Sequence, residues 1–149
     1  MRVSALIAFA ACLAACSGSR DPVRDFNSRE VTLPGGKTVL AEVMTNPLDM
    51  SRGMMFRDSL APDRGMLFIH GGPGQYAYWM FQVKIPLDII WMDQNQRVVE
   101  ISANTPPCPS TSAKECPNFG GHERAMYVLE LGGGQAAKNN VQVGSVLRF

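Results

Sequence analysis

Trp79-Met80-Phe81-Gln82-Val83-Lys84-Ile85-Pro86-Leu87-Asp88-Ile89-Ile90-Trp91-Met92-Asp93 is the densest apolar run beyond the N-terminal leader, and it holds both tryptophans of the chain. Pro86 cannot donate to a β-ladder, so it divides the run into two strands joined by a crossing loop. Leu87 to Met92 is the second of them. Asp88 lies just past the break, between Leu87 and Ile89-Ile90. A carboxylate in such company either faces solvent or finds donors. Backbone amides, or the guanidinium of Arg52, are the expected partners.

Working back toward the N-terminus, Tyr76 to Phe81 alternates as a strand and Met66 to Ile69 reads as a buried one. His70-Gly71-Gly72-Pro73-Gly74 between them reads as a turn. It lacks the Lys-Ser/Thr pair of a phosphate loop, which argues against phosphate cradling. Arg57 to Gly65 is a loop. Asn46-Pro47 opens a short helix, with a capping side chain and then proline at the first helical position. Met50 and Met54 stack four residues apart on it, beside Arg52. Val31-Thr32-Leu33, Pro34-Gly35-Gly36 and Lys37 to Met44 form a hairpin.

Toward the C-terminus, Asp93 to Gln96 turns into a strand over Arg97 to Asn104. A long proline-rich loop, Thr105 to Gly121, carries Cys108 and Cys116. Ala125 to Leu131 alternates as another strand. Gln135 to Asn140 is a short helix that Asn140 caps in the left-handed region. Val143 to Phe149 reads as a closing strand. Seven or eight strands and two short helices give an α+β domain, mainly antiparallel β, with a small curled or barrel-like sheet.

The chain has 149 residues, 46% of them hydrophobic and 18% charged, as in one globular domain with tails. Without Arg2 the charges balance at 13 basic and 13 acidic, so no basic field exists to attract nucleic acid. Residues 1–15 form a leader: Arg2, then an apolar core from Val3 to Leu13 too short for the roughly 20 residues a membrane span needs. Leu13-Ala14-Ala15-Cys16 resembles the bacterial lipobox, in which the cysteine is acylated before cleavage ahead of it. An ordinary secretory signal cut after Ala14 is the alternative. Lipid on Cys16 anchors the mature chain to a membrane. Ser17 after it, by resemblance to Gram-negative lipoproteins, directs export to the outer membrane, facing the periplasm. Residues 16–29 are polar and read as a flexible tether of roughly 20 Å root-mean-square reach. The domain proper is 30–149.

The oxidising compartment invites a bridge between Cys108 and Cys116. Closing that loop stabilises by roughly 2.5 kcal/mol in the chain-entropy model. A metal site of both cysteines with His122 is the rival, but the spacing is not Cys-x-x-Cys and no fourth ligand is evident. His122 beside Glu123 invites a general-base reading, although neighbours in a strand point apart. Arg52, near an apolar stripe, either snorkels to solvent or holds an anion. The many methionines, Met44 to Met126, suit core filling better than Cu(I) binding. No cofactor is expected, and no nucleophile has a recognisable frame.

Arg52-Gly53-Met54-Met55-Phe56-Arg57, Gly65-Met66-Leu67-Phe68, Trp79-Met80, Ile85-Pro86-Leu87-Asp88-Ile89-Ile90 and Val98-Val99-Glu100-Ile101 occur in this order. Pro107-Cys108, Cys116-Pro117 and Tyr127-Val128-Leu129-Glu130-Leu131 follow. Together they resemble the bacterial and archaeal family called domain of unknown function 192, over about residues 30–149. The resemblance implies a compact β-rich domain, often exported, with no established activity. Members commonly follow Trp-Met with Lys-Asn-Thr, whereas Phe81-Gln82-Val83 stands here. Two functions remain: a tethered binding or accessory module using Arg52, Trp79, Asp88 or His122, with a protein or small-molecule partner, or an envelope enzyme with an acid–base pair such as His122 and Asp88.

The lipobox predicts that Cys16→Ser leaves the protein unprocessed or releases it. Detergent phase separation checks this. A wild-type mature protein that partitions into the aqueous phase with an unmodified N-terminus contradicts lipidation.

Overall fold

The computed structural model describes residues 27–149. The leader 1–15, Cys16 and most of the tether lie outside the described residues. Strand β1 (Ser28–Thr32) takes the last two residues assigned to the tether. It pairs antiparallel with β2 (Thr38–Met44) through the Pro34-Gly35-Gly36 turn, as the hairpin pattern predicts.

Helix α1 (Pro47–Arg52) follows, with Asn46 accepting from the Asp49 amide as its N-cap. It is shorter than the methionine spacing suggests. Gly53, at φ 43°, ends it, so Met54 leaves the helix and enters the core. A Cβ at position 53 meets the Phe68 ring at 3.3 Å, and the backbone there is in the left-handed region that favours glycine.

Strand β3 (Arg64–Gly74) runs parallel to β2 and antiparallel to β8 (Ala125–Gly132). The expected turn at His70 to Gly74 is instead a continuation of β3. The ladder shifts register after Ile69 and regains β8 at Gly74–Ala125. A shift of this kind lets a strand bend without ending. The expected strand over Tyr76 to Phe81 shrinks to β4 (Tyr78–Trp79), which pairs with β7 (Asn118–Phe119) inside the long loop. Strand β5 (Leu87–Met92) begins right after Pro86, and β6 (Val98–Thr105) returns beside it. Helix α2 (Gln135–Lys138) is followed by Asn140 at φ 56°.

The main sheet has the order β1-β2-β3-β8-β5-β6 and does not close. The fold is α+β and rich in β, with β2–β3 the parallel pair in an otherwise antiparallel sheet. The closing strand expected over Val143 to Phe149 is replaced by two isolated bridges. Arg148 pairs with Thr32 at one edge of the sheet, and Val146 pairs with Arg97 near the other. A turn over Gln142 to Ser145 leaves too little chain for a ladder with either edge. One strap therefore spans the gap between the edge strands, and both edges are partly covered.

All six residues of β5 are buried, so both faces of the sheet are covered. Even-numbered Ile90 and Met92 join Leu67, Leu129, Leu131 and the strap residue Leu147 in one core. Odd-numbered Leu87, Ile89 and Trp91 join Met54, Met66 and Phe68 in the other. The methionines Met54, Met66, Met80 and Met92 are all core residues.

Asp88 points to the first of these cores and is 1% exposed. Its Oδ1 accepts from the amides of Asn104 at 2.7 Å and Gly134 at 3.1 Å. Its Oδ2 accepts from the Ala136 amide at 2.6 Å. The carboxylate thus ties the end of β6 and the first turn of α2 to β5. Arg52 is not among its partners, which corrects the expected ion pair: Arg52 ends a helix that covers the opposite face.

The second core is roofed by loops. Cys108 and Cys116 are joined by a disulfide, with Cα atoms 5.6 Å apart, and the Cys108 amide donates to the Met80 carbonyl. Gly120 lies against the Trp91 indole so closely that a Cβ there comes within 2.3 Å of Cζ2. Trp91 Nε1 donates to the Tyr76 carbonyl at 2.7 Å. The loop before β8 and the loop before β4 are thereby fixed to one buried side chain.

Asp88→Ala leaves three amides without their acceptor and is expected to cost roughly 3 kcal/mol in chemical denaturation. Asp88→Asn keeps one acceptor oxygen and is expected to fall between Ala and the wild type. Equal stability of wild type and Asp88→Ala contradicts the structural role.

Candidate functional site

The register of the sheet builds one row of side chains across four strands: Glu42 on β2, Met66 on β3, Glu130 on β8 and Ile89 on β5. Met66 and Ile89 belong to the second core, so Glu130 enters that core with them. The next row, Met44, Phe68, Val128 and Trp91, is apolar. Above these rows α1, the segment after it and the Gln75–Val83 loop do not meet completely. They leave a cavity of about 540 Å3, within the roughly 300–1,000 Å3 of small-molecule sites.

Aromatic rings make much of its wall. Tyr78 packs edge-on against Phe68, with centroids 5.1 Å apart, and against Trp91 at 5.8 Å. Its hydroxyl lies 3.1 Å from His70 Nε2. The His70 ring stacks on Tyr76 with centroids 3.5 Å apart. Tyr76 in turn donates to the Gly72 carbonyl at 2.6 Å. Trp79 and Phe81 form a tilted pair at 5.8 Å, with Trp79 38% exposed. Phe56 and Gln82 both hold positive φ, 66° and 56°. The Phe56 amide donates to the Gln82 carbonyl at 2.9 Å, tying the segment after α1 to the loop after β4. A left-handed backbone at a bulky residue costs on the order of 1–3 kcal/mol. That cost is borne beside the cavity.

Glu130 is the polar feature of the lining that stands out. It is 4% exposed, and its Oε2 has no hydrogen-bond partner. Burial pushes its carboxyl up to about 8, and the field of Arg57 only partly opposes this. Arg57 does not answer Glu130 directly. It is held by Glu42 through two bonds of 2.5 and 2.7 Å, and that pairing moves the Glu42 carboxyl below its ordinary range. Burial also lowers His70 and raises Tyr78, so both stay neutral near pH 7.

The four residues singled out in the sequence separate. Arg52 and Trp79 line the cavity, Arg52 exposed at its α1 side. Asp88 is on the other face of the sheet, bound to three amides. His122 has an 82% exposed side chain, paired through Nδ1 with Glu100 at 2.6 Å. Glu100, not Glu123, is therefore its carboxylate partner, and its Oε2 also accepts the amides of His122 and Glu123. A His122–Asp88 pair is excluded by these placements. Among the described residues no three His, Cys, Asp or Glu side chains cluster to hold a metal.

Sequence reasoning missed Glu130, His70 and Tyr78 as members of a site. The glutamate within Tyr127-Val128-Leu129-Glu130-Leu131 was the available signal, since it breaks an otherwise apolar stretch. His70 was hidden by the glycines after it, which read as a turn.

A two-faced β-rich domain with an aromatic cavity and a buried carboxyl at its floor is the class of protein this geometry defines. The chain matches the family model domain of unknown function 192, described as an uncharacterized ACR, over residues 30–149, and it belongs to that family. A crystal structure of a protein of unknown function from Novosphingobium aromaticivorans is similar to it at TM-score 0.72 and 28% identity, covering 86% of this chain and 89% of that one. A crystal structure of a candidate transcription regulator from Sinorhizobium meliloti is similar at TM-score 0.69 and 28% identity, covering 80% and 89%. No curated protein matches.

The Glu130 carboxyl holds its proton more tightly in the folded than in the unfolded chain. Its contribution to stability is fully present below about pH 4.5 and is lost as pH rises through about pH 8. Glu130→Gln removes that loss. Denaturation of both proteins across this range is expected to show the variant gaining on the wild type as pH rises. A constant difference between them contradicts the buried-acid assignment.

Proposed function

We propose that the protein is a lipid-anchored module of the cell envelope, facing the periplasm, that binds a small ligand in the cavity beneath α1. The observation that carries this reading is the unpartnered oxygen of Glu130 at the floor of an aromatic cavity. A buried acceptor without a donor costs on the order of 1–3 kcal/mol, and a fold with three amides to spare for Asp88 supplies none here. A ligand that brings a donor removes the cost. The lipobox at Cys16 supports anchoring, and Ser17 supports the outer membrane as its place. The balanced charge gives no support to nucleic acid as a partner, and no resident cofactor is proposed.

An acid–base enzyme of the envelope is the second reading. What favours it is that Glu130 and His70, two groups displaced toward neutrality in opposite directions, line one cavity. Such displacements concentrate at functional sites. Binding needs only the acceptor and the aromatic wall, whereas catalysis also needs His70 free of Tyr78.

A fragment screen by NMR on the full chain is expected to find ligands whose shifts concentrate on Phe68, Tyr78 and Trp79. Phe68→Trp, which puts a larger ring in the cavity wall, is expected to weaken them at least tenfold while the variant stays folded by circular dichroism. Shifts scattered over the surface, or hits that Phe68→Trp leaves unchanged, contradict the reading.

A further inference from the structure

The cavity floor is an acceptor in need of a donor, and its walls are aromatic. From this geometry we infer that the ligand is a small organic cation: a protonated primary or secondary amine on an apolar or aromatic body, its ammonium seated on Glu130. The inference rests on the binding-module reading above and specifies its ligand class.

Three observations bear on it. Glu130 Oε2 is buried and bonded to nothing, so whatever fills the cavity next to it gains most by bringing an N–H or O–H. Tyr76, Tyr78 and Trp79 line the cavity, and aromatic rings attract a cation through their quadrupole, most strongly where water is excluded. Arg57 is the protein cation whose field reaches Glu130, and both of its guanidinium nitrogens that pair do so with Glu42. Arg52 stands exposed at the α1 side of the cavity, where solvent screens its repulsion.

An uncharged acceptor, such as a ketone, is the competing ligand. It takes its hydrogen bond from the protonated acid but brings no charge to the site. An ammonium pairs with the carboxylate and is attracted by the rings as well.

Proton balance gives the inference its signature. The free site holds Glu130 as the neutral acid near pH 7, because burial raises the group to about 8. An ammonium favours the carboxylate, so its binding releases the Glu130 proton to solvent. The other titratable groups facing Glu130 do not supply that proton. From the β3 and β4 side, His70 is already deprotonated and Tyr78 stays protonated. Arg57, on the segment after α1, stays charged beside Glu42 of β2.

The test uses the full chain and phenethylammonium chloride, with 2-phenylethanol and phenylacetate as matched neutral and anionic probes. Titration calorimetry in buffers of different ionisation enthalpy is expected to show about one proton released per phenethylammonium bound. Affinity is expected to rise by about tenfold per pH unit from about pH 6 to about pH 8, a range in which the amine remains protonated. The alcohol and the acid are expected to bind at least tenfold more weakly. Glu130→Gln, which keeps the shape of the side chain, is expected to lose the proton release and the pH dependence. Binding of the alcohol or of phenylacetate as tight as that of the amine, sensitive to Phe68→Trp, overturns the cation inference and leaves the binding module standing. Amine binding that is independent of pH, or unchanged in Glu130→Gln, also overturns it. If neither these probes nor any fragment binds in the cavity, both readings fall.

Discussion

Three backbone amides converge on the carboxylate of Asp88, and the arrangement of the sheet depends on that convergence. A strand buried on both faces has no water with which to satisfy a charge. β5 carries one nevertheless, and the fold brings it the end of β6 and the first turn of α2. With α2 fixed there, Ala136 joins the first core, and the chain beyond it runs back to strap the two edge strands. One hydrogen-bonded carboxylate thus connects a strand buried on both faces to the closure of the sheet's rim.

Glu130 is the counterpart. It lies on β8, directly beside β5, pairing with Ile89 in register. Its burial is nearly as deep as that of Asp88, on the opposite face. Yet no amide or hydroxyl reaches its Oε2. The difference is topological. The first face is closed by the chain's own C-terminal segment, which carries free amides at a helix start. The second is roofed by α1 and loops whose backbone groups bond to one another, and whose rings line the cavity over the carboxyl. One acid therefore has a structural role, and the other is left to a ligand.

Much of this was legible in the sequence. Pro86 and the apolar run after it, broken only by Asp88, placed β5 correctly, and Asn46-Pro47 placed α1. The hairpin from Val31 to Met44 and the strand through Leu131 followed from alternation and glycines. The isolation of Asp88 among apolar residues called for donors from backbone amides or Arg52, and the amides supply them. What was not legible depended on partners distant in sequence. The extension of β3 through His70-Gly71-Gly72-Pro73-Gly74 is set by its ladder with Ala125, against a local preference for a turn. The C-terminal segment alternates like a strand but meets two different edges, one residue at a time. The cavity was the least legible of all. Arg52 and Trp79 were found as unusual residues, but their neighbour Glu130 sits among strand residues whose face is known only once the register of four strands is fixed. His122 drew attention as an accessible histidine, and its pairing with Glu100 comes from a strand 22 residues away.

The account turns on Glu130 being a protonated acid whose Oε2 is unpaired, buried beneath an aromatic-lined cavity. Carbon-13 NMR of the glutamate side-chain carboxyls, followed across a pH titration, measures this directly. The account predicts one carboxyl, absent in Glu130→Gln, that titrates near 8, far above the other glutamates. A Glu130 signal that titrates with them, at the ordinary carboxylate value, contradicts it.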